Sequence, residues 1–286
     1  MNASPLAASH PAAGLGAWRN WAAVPALGAA GALGLHLLAA AAFRRRADAL
    51  VARLGSSAPG ARPVPELPEL VQAFVRRAVS GSSVPATIRL RQCAEMRANP
   101  GDAWQRHTAR QVIAVHDPGF VWLARVRMAP LAYVSVLDAF VDGKGLLDVR
   151  LLGSLRLARS SGPEASRGEL MRYLAELPWA PHAMLHNPHL RWRELGKDTV
   201  EVSADSTGGP ASVRLVFENG DVVRIEADDR PRAAGRSTVP TGWRGRFSDY
   251  CELDGCRIPA RAEVSWMLAD GPFTCWRGRI TSYEAR

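Results

Sequence analysis

From residue 86 onward, turn-forming clusters cut the chain into runs of roughly 8 to 12 residues, and this spacing constrains the fold more than any other feature. Asn99-Pro100-Gly101, Asp117-Pro118-Gly119 and Asp142-Gly143 separate runs at 86–97, 104–116, 120–128, 131–141 and 145–157. A second series follows near 190–195, 198–204, 211–218, 221–227, 243–253, 256–268 and 272–284, punctuated by Asn219-Gly220, Asp254-Gly255 and Asp270-Gly271. Such dipeptides accept the positive φ of a tight hairpin turn, and connections this short join antiparallel neighbours, since parallel ones need long crossovers. Two stretches break the alternation. Residues 66–79 repeat Leu67, Leu70, Val71, Phe74, Val75 and Val79 at helical spacing. Residues 166–177 do the same with Leu170, Tyr173, Leu174 and Leu177, with Ser166 and Glu169 spaced as a capping box and Pro178 as a stop. The expected fold is therefore α+β: a large, curved antiparallel sheet, half-barrel-like, of about ten or more strands with two helices on its concave side. A sheet this wide must curl, and a curled sheet plugged by helices can leave a cavity.

The N-terminal region is different. Residues 1–65 contribute +5 of the chain's formal charge of +9, although they are a minor part of its 286 residues. Within them Trp21–Phe43 contains no Asp, Glu, Lys or Arg. As a helix this stretch would be roughly 34 Å long, enough to cross a bilayer core. Trp18 and Trp21 mark one end, and Arg44, Arg45 and Arg46 close the other, an anchor that the positive-inside rule places on the cytoplasmic side. Ala39–Ala42 offers small residues for a cleaved secretory signal, but the apolar run is long for one and three arginines follow it at once. The expected organisation is a tail at 1–20, a single transmembrane anchor at 21–43, a basic Pro/Gly linker at 44–65 and one domain at 66–286. That domain is expected on the cytoplasmic rather than the periplasmic side.

Candidate chemistry is sparse. Cys251 and Cys256 flank Asp254-Gly255, where a two-residue turn sets Cys256 opposite Leu253, so the four cysteines form no disulfide framework. His182, His186 and His189 have helical spacing but are bracketed by Pro181 and Pro188 without a nearby carboxylate, and read as loop residues rather than metal ligands. No Gly-rich phosphate loop, nucleophile elbow or paired C-x-x-C is present, and neither a metal nor a cofactor is expected. Arg-x-Arg pairs at 89/91, 125/127, 191/193, 244/246 and 277/279 sit among Trp122, Trp192, Trp243 and Trp276, the ingredients of a single-strand nucleic-acid platform. The domain's share of the net charge is too small for a strong phosphate track, and solvated arginines on an outer sheet face account for the same pattern.

Asp138 is the most informative single residue, because alternation places it on the apolar face with Val134, Val136 and Phe140. A three-residue loop at Gly143 would set Arg150 opposite it, and a two- or four-residue loop Val149. Glu169, Arg172 and Glu176 fall at helical ion-pair spacing around Tyr173, as in a surface ladder. With Trp122, Arg127, Trp179, Trp243 and Trp266, the residues Asp138, Arg150, Glu169, Tyr173 and Glu176 make up the candidate ligand-binding set.

Several stretches resemble an uncharacterised bacterial family, domain of unknown function 6544. They are Phe120–Pro130, Asp138 with Asp142-Gly143-Lys144-Gly145, Arg150–Gly153, Gly168–Glu176 with Trp179, and Pro240–Trp243, Trp266 and Trp276-Arg277-Gly278. The resemblance runs over about residues 66–286 and implies neither a reaction nor catalytic residues. At the level of fold alone, a helix-plugged curved sheet is similar to the half-barrel of bacterial lipoprotein carriers. The resulting expectation is a membrane-tethered domain binding a lipid or other hydrophobic small molecule, with nucleic acid disfavoured. The alternatives are an enzyme built around the same cavity or a structural protein at the membrane. Ala30 and Gly34 have the small-xxx-small spacing that packs two helices together, but in a stretch this rich in Ala and Gly the spacing does not define an oligomeric state.

Overall fold

The structure, a computed structural model, describes residues 18–56, 66–81, 83–130, 132–235 and 237–286, with side chains from residue 31 onward. The tail before Trp18 and residues 57–65 of the expected linker lie outside the described residues. One antiparallel sheet holds β1 (Thr87–Met96), β2 (Gln105–Ala114), β3 (Phe120–Ala129), β4 (Ala132–Val141), β5 (Lys144–Leu151), β6 (Leu155–Ser161), β7 (Arg191–Glu194), β8 (Thr199–Ser206), β9 (Gly209–Glu218), β10 (Asp221–Ala234), β11 (Ser237–Leu253), β12 (Cys256–Leu268) and β13 (Gly271–Ala285). The order across the sheet is β6-β5-β4-β3-β2-β1-β13-β12-β11-β10-β9-β8-β7. The chain thus walks outward from the centre, crosses the interior in helices, and walks back from the far edge until β13 pairs with β1.

Turn chemistry sets the registers. Asp142-Gly143, Asn219-Gly220 and Asp254-Gly255 each have positive φ at both central positions, which Asp and Asn tolerate and Gly adopts freely. Leu253 pairs with Cys256 as the two-residue turn requires, and all four cysteines are free. Two runs differ from the sequence expectation. Residues 145–157 are two strands, folded back at Leu152-Gly153, where both residues have positive φ and no turn dipeptide advertises the change. The β10–β11 ribbon also continues well past residue 227, through Asp228, Asp229, Pro231 and Pro240, which read as loop residues; Pro231 and Pro240 face each other across it.

Three helices and a 3-10 turn lie on the concave side, where two helices were expected. They are α2 (Glu69–Ala78), α3 (Pro163–Ala175), the turn Leu177–Trp179 and α4 (Pro181–His186). The apolar stripe of α2 buries Val71, Phe74, Val75 and Ala78. Phe74 meets Phe217 and Tyr250 edge-on, each at 6.3 Å between centroids. α3 begins earlier than expected, with Pro163 in its first turn after Gly162. Ser166 is therefore no N-cap: its hydroxyl donates to Gly162 O at 2.8 Å and accepts from Gly145 N at 3.0 Å.

The helix α1 (Trp18–Leu54) runs on past Phe43, so residues 44–54 are helical where a linker was expected. Its second half lies on the outer face of the sheet. Phe43, Ala47 and Leu54 pack there with Val112, Val121, Leu137, Val141 and Leu146 in a second core separate from the concave one. Beneath it Asp148, with a fully buried side chain, gathers Arg150 at 2.9 Å, Arg156 at 3.4 Å and Arg46 of α1 at 3.7 Å. Burial opposes the charge of this carboxylate, but the Arg150 hydrogen bonds and the other two arginines outweigh it and hold its pKa below the usual carboxylate range. His36 Nδ1 lies 2.6 Å from Ser154 Oγ at the β5–β6 turn. Arg53 pairs with Asp142 at the opposite end of the same strands, which fixes the direction of the helix along them. Among the described residues no helix is long and apolar enough to cross a membrane. The first half of Trp21–Phe43 has no described side chains.

Candidate functional site

Helices fill only one end of the curl. Along β4, Leu137–Val141 are buried but Ala132–Val136 only half-buried. β12 behaves alike, with Ile258–Ala260 buried and Val264–Leu268 half-buried. Register places these two thinned stretches at the same end of the sheet: Val264 pairs with Trp276, Trp276 with Met96, and Met96 with Gln105, beside which Val126 pairs with Val134. Val134, Val136, Val149, Leu151, Val264 and Trp266 are thus half-buried apolar side chains on the concave side at the end marked by the β3–β4 and β5–β6 turns, the vestibule of the curl. His36 meets Ser154 at that end, and α1 leads from it towards its N-terminus.

At the base of the vestibule is a cluster of charges. Arg172 on α3 donates to Asp138 at 2.6 Å and to Glu176 at 2.8 Å, and its guanidinium lies over the rings of Phe120 and Trp122. Gln111 donates to Glu176, Gln92 donates to Gln111 at 2.9 Å, and Trp122 Nε1 donates to Gln92 Oε1 at 2.9 Å, forming a relay across β1, β2 and β3. On the other side Arg230 stacks on Trp243 at 4.1 Å and on Trp266 at 5.5 Å. It approaches Glu169 only to 4.0 Å. Burial and then the neighbouring Asp138 push the Glu169 carboxyl up to about 8. Burial depresses the pKa of Arg230, with Glu169 acting against that shift. Burial also works against Arg172, but the Glu176 and Asp138 carboxylates more than compensate and raise it. With Glu169 protonated, Arg172 and Arg230 balance Asp138 and Glu176, so the cluster is electrically neutral and chemically uneven. Arg172 holds two carboxylates at hydrogen-bond distance, whereas Arg230 only approaches one, Glu169, at 4.0 Å.

Several of the sequence-predicted residues meet here and others do not. Trp122, Asp138, Glu169, Glu176, Trp243 and Trp266 converge on the cluster. The Asp138 partner is not on β5: the two-residue turn pairs Asp138 with Leu147, so neither Arg150 nor Val149 lies opposite it. Arg150 faces outward to Asp148, and Arg127 is exposed on the outer face. Glu169, Arg172 and Glu176 are not a surface ladder but face inward from α3. Tyr173 is fully buried; its hydroxyl donates to Ala114 O at 3.3 Å and accepts from Asn187 at 2.9 Å, and burial raises its pKa. Trp179 is likewise structural, donating to Pro259 O at 3.0 Å.

Sequence reasoning passed over Gln92, Gln111 and Arg230. The two glutamines occupy inward positions between Leu90 and Ala94 and between Ala109 and Ile113, which alternation alone marks. Arg230 follows Asp228-Asp229 and precedes proline, the composition of a turn, and no local signal places it in a strand.

His182 and His186 are on α4 rather than in a loop, but the three histidines do not converge. His189 pairs with Asp117 at 2.9 Å, and His182 lies beside Cys256. Among the described residues no group of three potential metal ligands forms. The five Arg-x-Arg pairs are all exposed on the outer face, whereas Trp122 and Trp243 are buried inside; Arg277 does lie over the ring of the half-buried Trp104, at 4.4 Å.

The chain belongs to the family of unknown function DUF6544, whose model matches residues 59–278. Among solved structures it is similar to a LolA-superfamily protein from Nitrosomonas europaea, with 10% identity, a TM-score of 0.36, and coverage of 76% of this chain and 93% of that one. It is also similar to a putative outer membrane lipoprotein-sorting protein domain from Vibrio parahaemolyticus, with 10% identity, a TM-score of 0.40, and coverage of 76% and 90%. A third is a beta-barrel-like protein of the domain of unknown function DUF1849 from Brucella abortus, with 11% identity, a TM-score of 0.24, and coverage of 72% and 100%. No curated protein sequence matches the chain significantly.

Proposed function

We propose that the protein is a membrane-tethered domain that binds a lipid or other hydrophobic small molecule in the open end of its curled sheet. The observation that carries this reading is the juxtaposition at that end of the half-buried apolar vestibule and the exposed leucines of α1. Leu33, Leu35, Leu37 and Leu38 are all exposed, and at about 100° per residue they fan over about 200° of the helix, wider than the stripe of a helix that packs on one core. Leu155 and Leu157 on β6 and Met128 on β3 add exposed apolar side chains near the same turns. In this reading Trp21–Phe43 is the anchor, the vestibule opens at the bilayer surface, and the charged cluster meets the polar end of an amphiphile. Arg44, Arg45 and Arg46 favour a cytoplasmic domain under the positive-inside rule.

The enzyme reading is less well supported, because Asp138 and Glu176 are both tied to Arg172 in ion pairs. The test is organic extraction of the purified full chain followed by lipid mass spectrometry, with Val136→Glu as comparison. A stoichiometric amphiphile in the wild type that is lost in the variant supports the proposal. A wild-type protein that is clean and indifferent to added lipids overturns it. Resistance of the full chain to alkaline carbonate extraction tests the tether, and protease protection in sealed vesicles tests orientation.

A further inference from the structure

The outer face of the sheet carries a groove of about 1090 Å³ that has no part in the site above. Two cross-strand rows build it. In the first, register sets Arg106, Glu95, Arg277, Glu263, Arg246 and Arg224 side by side from β2 to β10, and Arg127 extends the row onto β3. The second, two residues away along each strand, runs from Arg125 through Thr108, Cys93, Arg279 and Arg261 to Ser248. A coiled sheet is saddle-shaped, so the face that is convex around the barrel is concave along the other diagonal, and a trough forms there.

The trough is lined by eight arginines against three glutamates, Glu95, Glu218 and Glu263. Some of this charge is used locally. Glu95 receives Arg277 and lies 3.9 Å from Arg106, and Arg261 holds Asp249 at 2.8 Å. Among the described residues, no ion pair engages Arg127, Arg246 or Arg279. Seven strands at about 4.8 Å spacing make the trough about 29 Å long, the reach of an extended segment of about eight or nine residues.

We propose that this trough is a docking surface for an extended, predominantly acidic segment of a partner protein. Charge complementarity selects an anion, and the details select a polypeptide. The glutamates set among the arginines would repel an unbroken phosphodiester chain, whereas a peptide can present a lysine or a backbone N–H there. Trp122 and Trp243 face the interior, and Trp104 at the rim already carries Arg97 at 4.5 Å and Arg277 at 4.4 Å, so the trough offers bases little stacking platform. A bilayer is flat and would reach only the rim.

The experiment uses the full chain in detergent micelles and a fluorescein-labelled twelve-residue peptide of alternating Glu and Ser, read by anisotropy at low and moderate salt. Binding is expected to weaken at least about tenfold in Arg246→Glu/Arg279→Glu. It should change less than about twofold in Arg76→Glu/Lys197→Glu, which alters net charge equally at exposed positions away from the trough. Equal weakening in both variants, no binding to the wild type, or tighter binding of an oligothymidylate of matched charge or of anionic vesicles would each overturn the proposal. A second measurement needs no variant. The same peptide carrying a terminal maleimide should modify the exposed Cys93, in the second row, well ahead of Cys251 and Cys275. Labelling without that preference counts against the trough.

Discussion

Arg172 Nη1 donates to Asp138 Oδ2 at 2.6 Å, joining α3 to β4 across the concave side, while the same guanidinium holds Glu176 one helical turn on. Two buried carboxylates therefore depend on one cation. Arg172→Met should cost about 3–5 kcal/mol in urea denaturation, because it removes the cation that both charges share and leaves only the Gln111 amide on Glu176. Adding Asp138→Leu to Arg172→Met should recover part of the loss. A single variant as stable as the wild type would show that the pair is solvated and incidental.

Glu169 gives the opposite sign from the usual buried carboxylate. Its folded pKa of about 8 lies above its unfolded value of 4.5, so the folded state holds the extra proton between those limits. The stability it contributes is present below the unfolded pKa and is lost as pH rises through about 8. Glu169→Gln, which imitates the protonated form, should leave the thermal midpoint at pH 4 nearly unchanged, raise it at pH 9, and flatten the profile between. Parallel wild-type and variant profiles would remove Glu169 from the titration.

Asp148 governs the attachment of α1. Asp148→Asn should free Arg46 and cost about 2 kcal/mol, between the values for exposed and buried pairs, since two of its three arginines are partly exposed. The local readout is tryptic cleavage within Arg44–Arg53, expected to accelerate while the sheet stays folded. Its folded pKa is depressed, so this contribution is present above the unfolded value and lost as pH falls through the folded one.

Two hairpin turns clasp the start of α3 closely enough that glycine is required. A Cβ on Gly145 would stand 2.6 Å from Ala165 C, and one on Gly208 2.7 Å from Pro163 C. Either Gly→Ala change should lower stability by about 1–3 kcal/mol through a forced shift of the helix. Urea midpoints unaffected by both changes would mean that the clasp gives way freely.

The outline of this molecule was legible because its signals are local. Asn219-Gly220 and Asp254-Gly255 announce hairpins whatever else surrounds them, and the stripe from Val71 to Ala78 announces a helix. The site was half legible. Alternation marks Asp138 as inward, but its partner depends on how α3 crosses the curl, which no spacing within β4 and β5 records. Arg230 reaches Glu169 from a segment far away in sequence, and Leu152 turns the chain with positive φ where its residue type gives no warning. Long-range crossings and strained backbone are tertiary facts, and they are what the sequence concealed.

The pairing of β1 with β13 has a consequence for the order of assembly. The outgoing strands β1–β6 and the returning strands β7–β13 share one seam, sealed at its end by the reciprocal hydrogen bonds of Thr87 and Arg286. During synthesis the first six strands emerge long before their central partner exists. Until then β1, a ten-residue strand destined for the middle of the sheet, stands as an open edge able to recruit any strand nearby. Misassembly of this protein should therefore begin at its centre rather than at its rims, with a second nascent copy as the competitor for β1.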